Sequence, residues 1–192
     1  MDSKRLGAAL FLIALAAGVS CAANVPAQTV PHMALVAAHG EVDVMAAAQS
    51  ARLTVLVFFS PHCHCLDVHQ PRLSALDTAY RPSGVQFLMI DSEVGGSLER
   101  DAAEAAARHY PFPIVLDRGA KLADAVGARY ASYSVVLDRD GLVRYQGNID
   151  SDKTHLHEDA IPYLKDAIDD LLAGRAPRAA SGEGLGCALQ TW

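Results

Sequence analysis

The chain has 192 residues, 51% of them hydrophobic, and a formal net charge of −6 with a pI near 5.7. That length suits one domain with tails, and the apolar content is enough for a sizeable core. The acidic balance and the lack of a basic cluster exclude nucleic acid as an expected partner.

The opening residues read as a targeting segment. Lys4 and Arg5 precede an uncharged apolar run from Leu6 to Val19, and Ser20-Cys21-Ala22-Ala23 supplies the small residues of a cleavage site. Residues 1–23 therefore read as a secretory signal peptide, with an apolar core too short to span a membrane. Cys21 opens a second reading, an acylated N-terminal cysteine, although Gly18 stands where such motifs usually carry Leu or Val. Both readings place the mature chain in the periplasm or cell envelope, with a membrane contact only if Cys21 is lipidated. Disulfides persist there. Besides Cys21 the chain holds Cys63, Cys65 and Cys187, an odd set that makes no closed structural framework.

Residues 24–34 read as a linker, and 33–38 as a short edge strand. Val42, Met45 and Gln49 suggest a short helix over 41–51. Leu53 to Phe59 (LTVLVFF) is a buried strand, apolar and rich in β-branched and aromatic residues. Ser60-Pro61 ends it with turn chemistry. Leu66, Leu73, Leu76 and Tyr80 then recur at near-helical spacing, and Pro71 should kink that helix. Arg81-Pro82-Ser83-Gly84 is a turn, and Val85 to Asp91 is a second buried strand. Ser97 is a good N-cap for a helix reaching Arg108. Tyr110-Pro111-Phe112-Pro113 breaks that helix before a short apolar run, Ile114 to Leu116. A helix over 120–126 stops near Gly127. Ser134 to Leu137 and Leu142 to Gln146 form a hairpin about the Asp138-Arg139-Asp140-Gly141 turn, which lacks the acidic positions of a calcium loop. An amphipathic helix is expected over 159–173, with Pro162 in its first turn and Gly174 at its end. Asp166, Asp169 and Asp170 read as its solvated face. Residues 175–192 are a tail without a period. The domain is thus expected over 35–174. The order implies an α/β fold, a central mixed sheet with helices on both faces and a C-terminal tail.

The chemistry sits where strand 53–59 gives way to a helix. There the sequence reads His62-Cys63-His64-Cys65. Free N–H groups and the dipole at a helix start favour negative charge, so the Cys63 thiol is expected to be exposed and to have a lowered pKa. His62 and His64 are candidates for proton relay or pKa tuning. Cys65 is the nearest resolving thiol, and a Cys-x-Cys disulfide would be strained and readily reduced. Cys187 is the other candidate. A metal is the rival reading: His62, Cys63, His64, Cys65 and His69 place five soft or borderline ligands within eight residues, a set suited to copper or zinc. The primary reading needs no cofactor. His155 and His157 carry no assignment.

VLVFFSPHCHC, FPIVLDRGAKLADAVGA, SVVLDRDGLVRYQGNID and the terminal helix followed by Gly186-Cys187 resemble the thioredoxin fold. The closer resemblance is to its redoxin branch, related to the alkyl hydroperoxide reductase/thiol-specific antioxidant family and to periplasmic thioredoxin-like proteins. It covers about residues 35–192 and implies a thiol–disulfide oxidoreductase acting on protein or small-molecule thiols and disulfides. Pro71 lies eight residues after Cys63, as the helix proline of thioredoxins lies after the attacking cysteine. The resemblance therefore makes Cys63 the attacking residue. The second family cysteine falls on Leu66. Peroxiredoxins carry Pro-x-x-x-Thr-x-x-Cys; Leu56 and Ser60 stand at the first two places, which weakens but leaves open a thiol peroxidase. Ser132 stands where the fold carries a cis-proline facing the cysteines. Sco-type copper-assembly proteins give the metal reading a precedent on this fold, with a different cysteine spacing.

Overall fold

The structure is a computed structural model and describes residues 28–179 and 186–191. The expected signal segment and Cys21 lie outside the described residues. Two short strands, β1 (Ala34–Ala37) and β2 (Gly40–Asp43), precede α1 (Val44–Ser50) and the long strand β3 (Leu53–Phe59). Then come α2 (His64–Tyr80), a 3₁₀ turn (Arg81–Ser83), β4 (Val85–Asp91), α3 (Leu98–Ala107), β5 (Ile114–Leu116) and α4 (Lys121–Val126). The hairpin β6 (Ser134–Asp138) and β7 (Val143–Gly147) leads to α5 (Tyr163–Leu172).

The seven strands form one mixed sheet in the order β2-β1-β5-β4-β3-β6-β7. β3 pairs parallel with β4 and antiparallel with β6. Every residue of β3 is buried, so both faces of the sheet centre are covered, as its unbroken apolar run requires. This is the thioredoxin-like α/β architecture. It carries the C-terminal end of β3, and the turn after it, to the edge of a packed core. Among the described residues no helix is long and apolar enough to cross a membrane.

Four local expectations need correction. The expected edge strand over 33–38 is β1, but it sits between β2 and β5. The first part of the expected helix over 41–51 is β2; the helix begins only at Val44, where the Asp43 side chain caps it by accepting from Ala46 N–H at 2.7 Å. The last helix begins at Tyr163, with Pro162 as its N-cap and Ile161 outside it and exposed. Asp170 is buried rather than solvated, and takes Arg175 and Arg178 of the tail. The stretch read as linker also packs at its end. Val30 is buried and donates to Gly141 O at 2.9 Å, while Val143 donates to Gln28 O at 2.8 Å.

Candidate active site

The turn after β3 is built by Ser60. Its carbonyl accepts Cys63 N–H at 3.2 Å, and its Oγ accepts His62 N–H at 3.3 Å. Cys63 is the N-cap of α2, with extended φ and ψ, and its carbonyl accepts Leu66 N–H at 3.1 Å and Asp67 N–H at 3.2 Å. So the first sulfur stands at the helix start, as expected. Arg108, at the end of α3, donates to Pro61 O at 2.6 Å, pairs with Asp67 and lies 5.7 Å from the Phe59 ring centroid. One guanidinium thus ties the cysteine turn to α2 and to the end of β3. No motif announces it, because Arg108 is a single residue on a distant helix.

A second tie fixes α2 from below. His69 is buried; its Nδ1 is 2.6 Å from Cys65 O and its Nε2 is 2.9 Å from Asp150 Oδ1. Both partners are acceptors, so the ring satisfies both as an imidazolium. Burial alone would lower its pKa. The hydrogen bonds to Asp150 and to the Cys65 carbonyl, with the Asp150 charge, raise it instead. Arg72 reaches Asp150 and Asp152, and Asp152 also takes His157 N–H. Both ring nitrogens of His69 are thus engaged, and His69 stands outside the group of three cysteine sulfurs. His62 and His64 are exposed. They flank the site without entering the group of side chains able to share an ion, which among the described residues is Cys63, Cys65 and Cys187.

The third cysteine arrives from the tail. Tyr130 and Ala188 form an antiparallel bridge. Ala131 donates to Cys187 O at 2.8 Å, and Leu189 donates to Arg129 O at 3.0 Å. Beyond it, Val94 donates to Gln190 O at 2.7 Å. Gly186 makes this seat possible by size. A Cβ there would lie 2.1 Å from Ala131 O and 2.4 Å from Tyr130 Cδ2. Ser132, at the expected cis-proline position, follows this edge with a left-handed φ of 75°. It donates to Phe58 O at 2.8 Å, and among the described residues there is no cis peptide bond.

The Sγ atoms of Cys63, Cys65 and Cys187 all lie within 4.8 Å of one another, and all three cysteines are free thiols. Cys63 is fully buried and Cys65 nearly so, against the expected exposure. The expected fall in pKa is overturned as well. Burial, above all, pushes the Cys63 thiol up to about 12; hydrogen bonds from the backbone of Cys187 and Leu66 pull the other way and lose, while the Cys187 side chain adds to the rise. Burial and then the Cys187 charge also raise Cys65. The helix start is in place, but its dipole is outweighed by desolvation and by crowding of like groups. A groove of about 420 Å³ lined by Leu76, Tyr80 and Ile149 contains none of the cysteines; at the thiol cluster Cys63 and Cys65 are buried and Cys187 is half-buried.

The Redoxin family model matches residues 24–162. The chain belongs to the Redoxin family. An uncharacterized conserved protein from Geobacillus kaustophilus is 27% identical, with a TM-score of 0.77 over 86% of this redoxin and 91% of its own chain. A hypothetical protein from Sinorhizobium meliloti 1021 is 23% identical, with a TM-score of 0.76 over 85% and 93%. A putative thiol:disulfide interchange protein DsbE from Chlorobium tepidum is 17% identical, with a TM-score of 0.58 over 77% and 95%. No curated protein matches the sequence. The family match ends before α5, so Cys187 lies beyond it, while residues 129–131 that seat it lie within it.

Proposed function

We propose that this redoxin is an exported thiol–disulfide oxidoreductase in which Cys63 attacks and Cys187 resolves. The observation that carries the reading is the convergence of Cys63, at the start of α2, with a tail thiol seated against residues 129–131. The name of the Chlorobium tepidum neighbour supports it at the level of reaction class. The apolar N-terminal stretch supports export.

The chemistry balances over two steps. The Cys63 thiol loses its proton and its sulfur attacks one sulfur of a substrate disulfide; that S–S bond breaks, a mixed disulfide forms and the other substrate sulfur leaves as a thiolate. Cys187, deprotonated in turn, attacks the Cys63 sulfur. The mixed disulfide breaks, the second substrate thiol leaves, and a Cys63–Cys187 disulfide remains. The substrate gains two electrons and the protein loses them. Cys187 suits the second step better than Cys65. Cys65 lies in the first turn of α2, two residues after the N-cap Cys63, and a disulfide between them would close a small, strained Cys-x-Cys ring.

The test is a peptide map of the protein oxidised by a small disulfide, with Cys63→Ser alongside. A reductant-sensitive Cys63–Cys187 linkage and loss of exchange in Cys63→Ser are expected. A Cys63–Cys65 linkage would reassign the resolving thiol. Undiminished exchange in Cys63→Ser would overturn the reading. The peroxidase reading lacks the proline of the peroxiredoxin signature, since Leu56 stands in its place.

A further inference from the structure

Two-electron exchange uses two sulfurs, and this site holds three. The third is unaccounted for by the reaction, and its position is not incidental. The tail is seated by backbone hydrogen bonds to residues 129 and 131 and by a glycine that leaves no room for a Cβ. Three thiols at one point are a recognisable donor set. A bonded sulfur pair lies about 2.05 Å apart. A metal ion held in a plane by three sulfurs at about 2.3 Å keeps those sulfurs about 4.0 Å apart. The sulfurs here are unbonded and lie within 4.8 Å of one another, a spread that accommodates the second arrangement.

The surroundings select the ion. Thiolates favour soft cations such as monovalent copper, zinc or iron in clusters. A structural zinc site is almost always four-coordinate. Among the described residues no fourth ligand joins these sulfurs. His69 has both ring nitrogens engaged by Cys65 O and Asp150, and His62 and His64 are exposed. Three sulfurs with no fourth protein ligand among the described residues fit a three-coordinate soft ion.

We infer that the reduced protein binds one monovalent copper ion through the Sγ atoms of Cys63, Cys65 and Cys187, with the tail as the arm that closes the site. Binding exchanges protons for metal. S–H protons leave to solvent, three Cu–S bonds form, copper stays monovalent and no electron is transferred. A disulfide between any two of the sulfurs removes two donors, so copper binding and disulfide formation exclude each other. The tail's seat acquires a second purpose, since a displaced tail leaves only the two sulfurs of the α2 start.

The experiment is an anaerobic titration of fully reduced protein with copper(I) against a chromophoric copper(I) chelator. One ion per chain is expected, with all three thiols protected from alkylation. Cys187→Ser and Cys65→Ser should each weaken binding by at least about 100-fold, above the range for losing an outer partner of a metal site. Gly186→Val keeps every thiol but unseats the tail, and should weaken copper as Cys187→Ser does. His62→Ala with His64→Ala should leave the affinity unchanged. Circular dichroism on each variant separates lost binding from lost fold. No stoichiometric uptake by the reduced wild type overturns the inference, and so does an affinity that Cys187→Ser leaves intact. Disulfide exchange is assayed on the same samples in chelator. Exchange without copper uptake removes this inference alone; copper uptake without exchange removes the oxidoreductase reading and leaves the metal site.

Discussion

The thiol cluster has two arms, and they are held in opposite ways. The arm at the start of α2 is bolted by charge. Arg108 ties Pro61 to Asp67, and the His69–Asp150–Arg72 chain fixes the Cys65 carbonyl from inside the protein. The tail arm is held chiefly by backbone hydrogen bonds and a steric fit at Gly186. Buried charge networks fail abruptly when one partner is removed. A strand-like contact at an edge opens locally at a lower cost than unfolding. One arm is therefore a fixed platform and the other a detachable one.

The largest effect should come from breaking the platform. Asp150→Ala leaves His69 buried without its carboxylate and deprives Arg72 of one, so a loss of about 3–5 kcal/mol is expected in denaturant unfolding. Ser132→Pro strikes the turn before β6, between the two arms. Proline needs φ near −65° and has no N–H, whereas Ser132 has φ 75° and donates to Phe58 O; about 3 kcal/mol or more should be lost. The proline of related folds is thus excluded here by the backbone itself.

The charge network also predicts a pH dependence. The pKa of His69 is raised in the folded state, so its contribution is complete below the unfolded value, about 6.5. It is lost as pH rises through the folded value. The stability gap between wild type and His69→Gln should therefore be widest near pH 6 and narrow at higher pH. Above pH 9 the raised Cys63 thiol adds a loss of the same sign in both proteins, so the difference between them isolates His69. The smallest effect on unfolding should follow Gly186→Val, roughly 1 kcal/mol or less, yet it should change reactivity most clearly. With the tail displaced, Cys63 regains water, and its alkylation rate near neutral pH should rise towards that of an ordinary thiol. An unchanged alkylation profile would show that the tail does not control the site.

The platform was largely legible from residue order. The β-branched and aromatic run over Leu53–Phe59, the Ser60-Pro61 turn and the helical spacing after it place Cys63 where the structure has it. Ser97 caps α3 as its side-chain chemistry requires, accepting from Arg100 N–H at 3.2 Å. What was misread is the balance of forces on the thiol. A helix start is visible in sequence, but desolvation depends on which distant segments cover it. The cover here comes from residues 186–190, whose pairing with 129–131 follows no hydrophobic period. β2 was missed for a similar reason: a four-residue strand is too short to declare itself, and its pairing depends on the turn before Gly40. Asp170 shows the converse. Helical spacing put it with its neighbours on a wet face, and two arginines of the tail cover it.

The seat at Gly186 has a kinetic meaning beyond shape. Because Cys187 rests beside Cys63 on the same chain, the proposed resolving step would be first order and indifferent to protein concentration. Well-oriented intramolecular groups act as if present at molarities that no dissolved thiol attains. An external thiol would have to outcompete that local supply, so mixed disulfides at Cys63 should be short-lived while the tail is seated. Lifting the tail would lengthen that lifetime, and it is through this interval, more than through any change in the sulfur itself, that the protein can choose between releasing a partner and holding it.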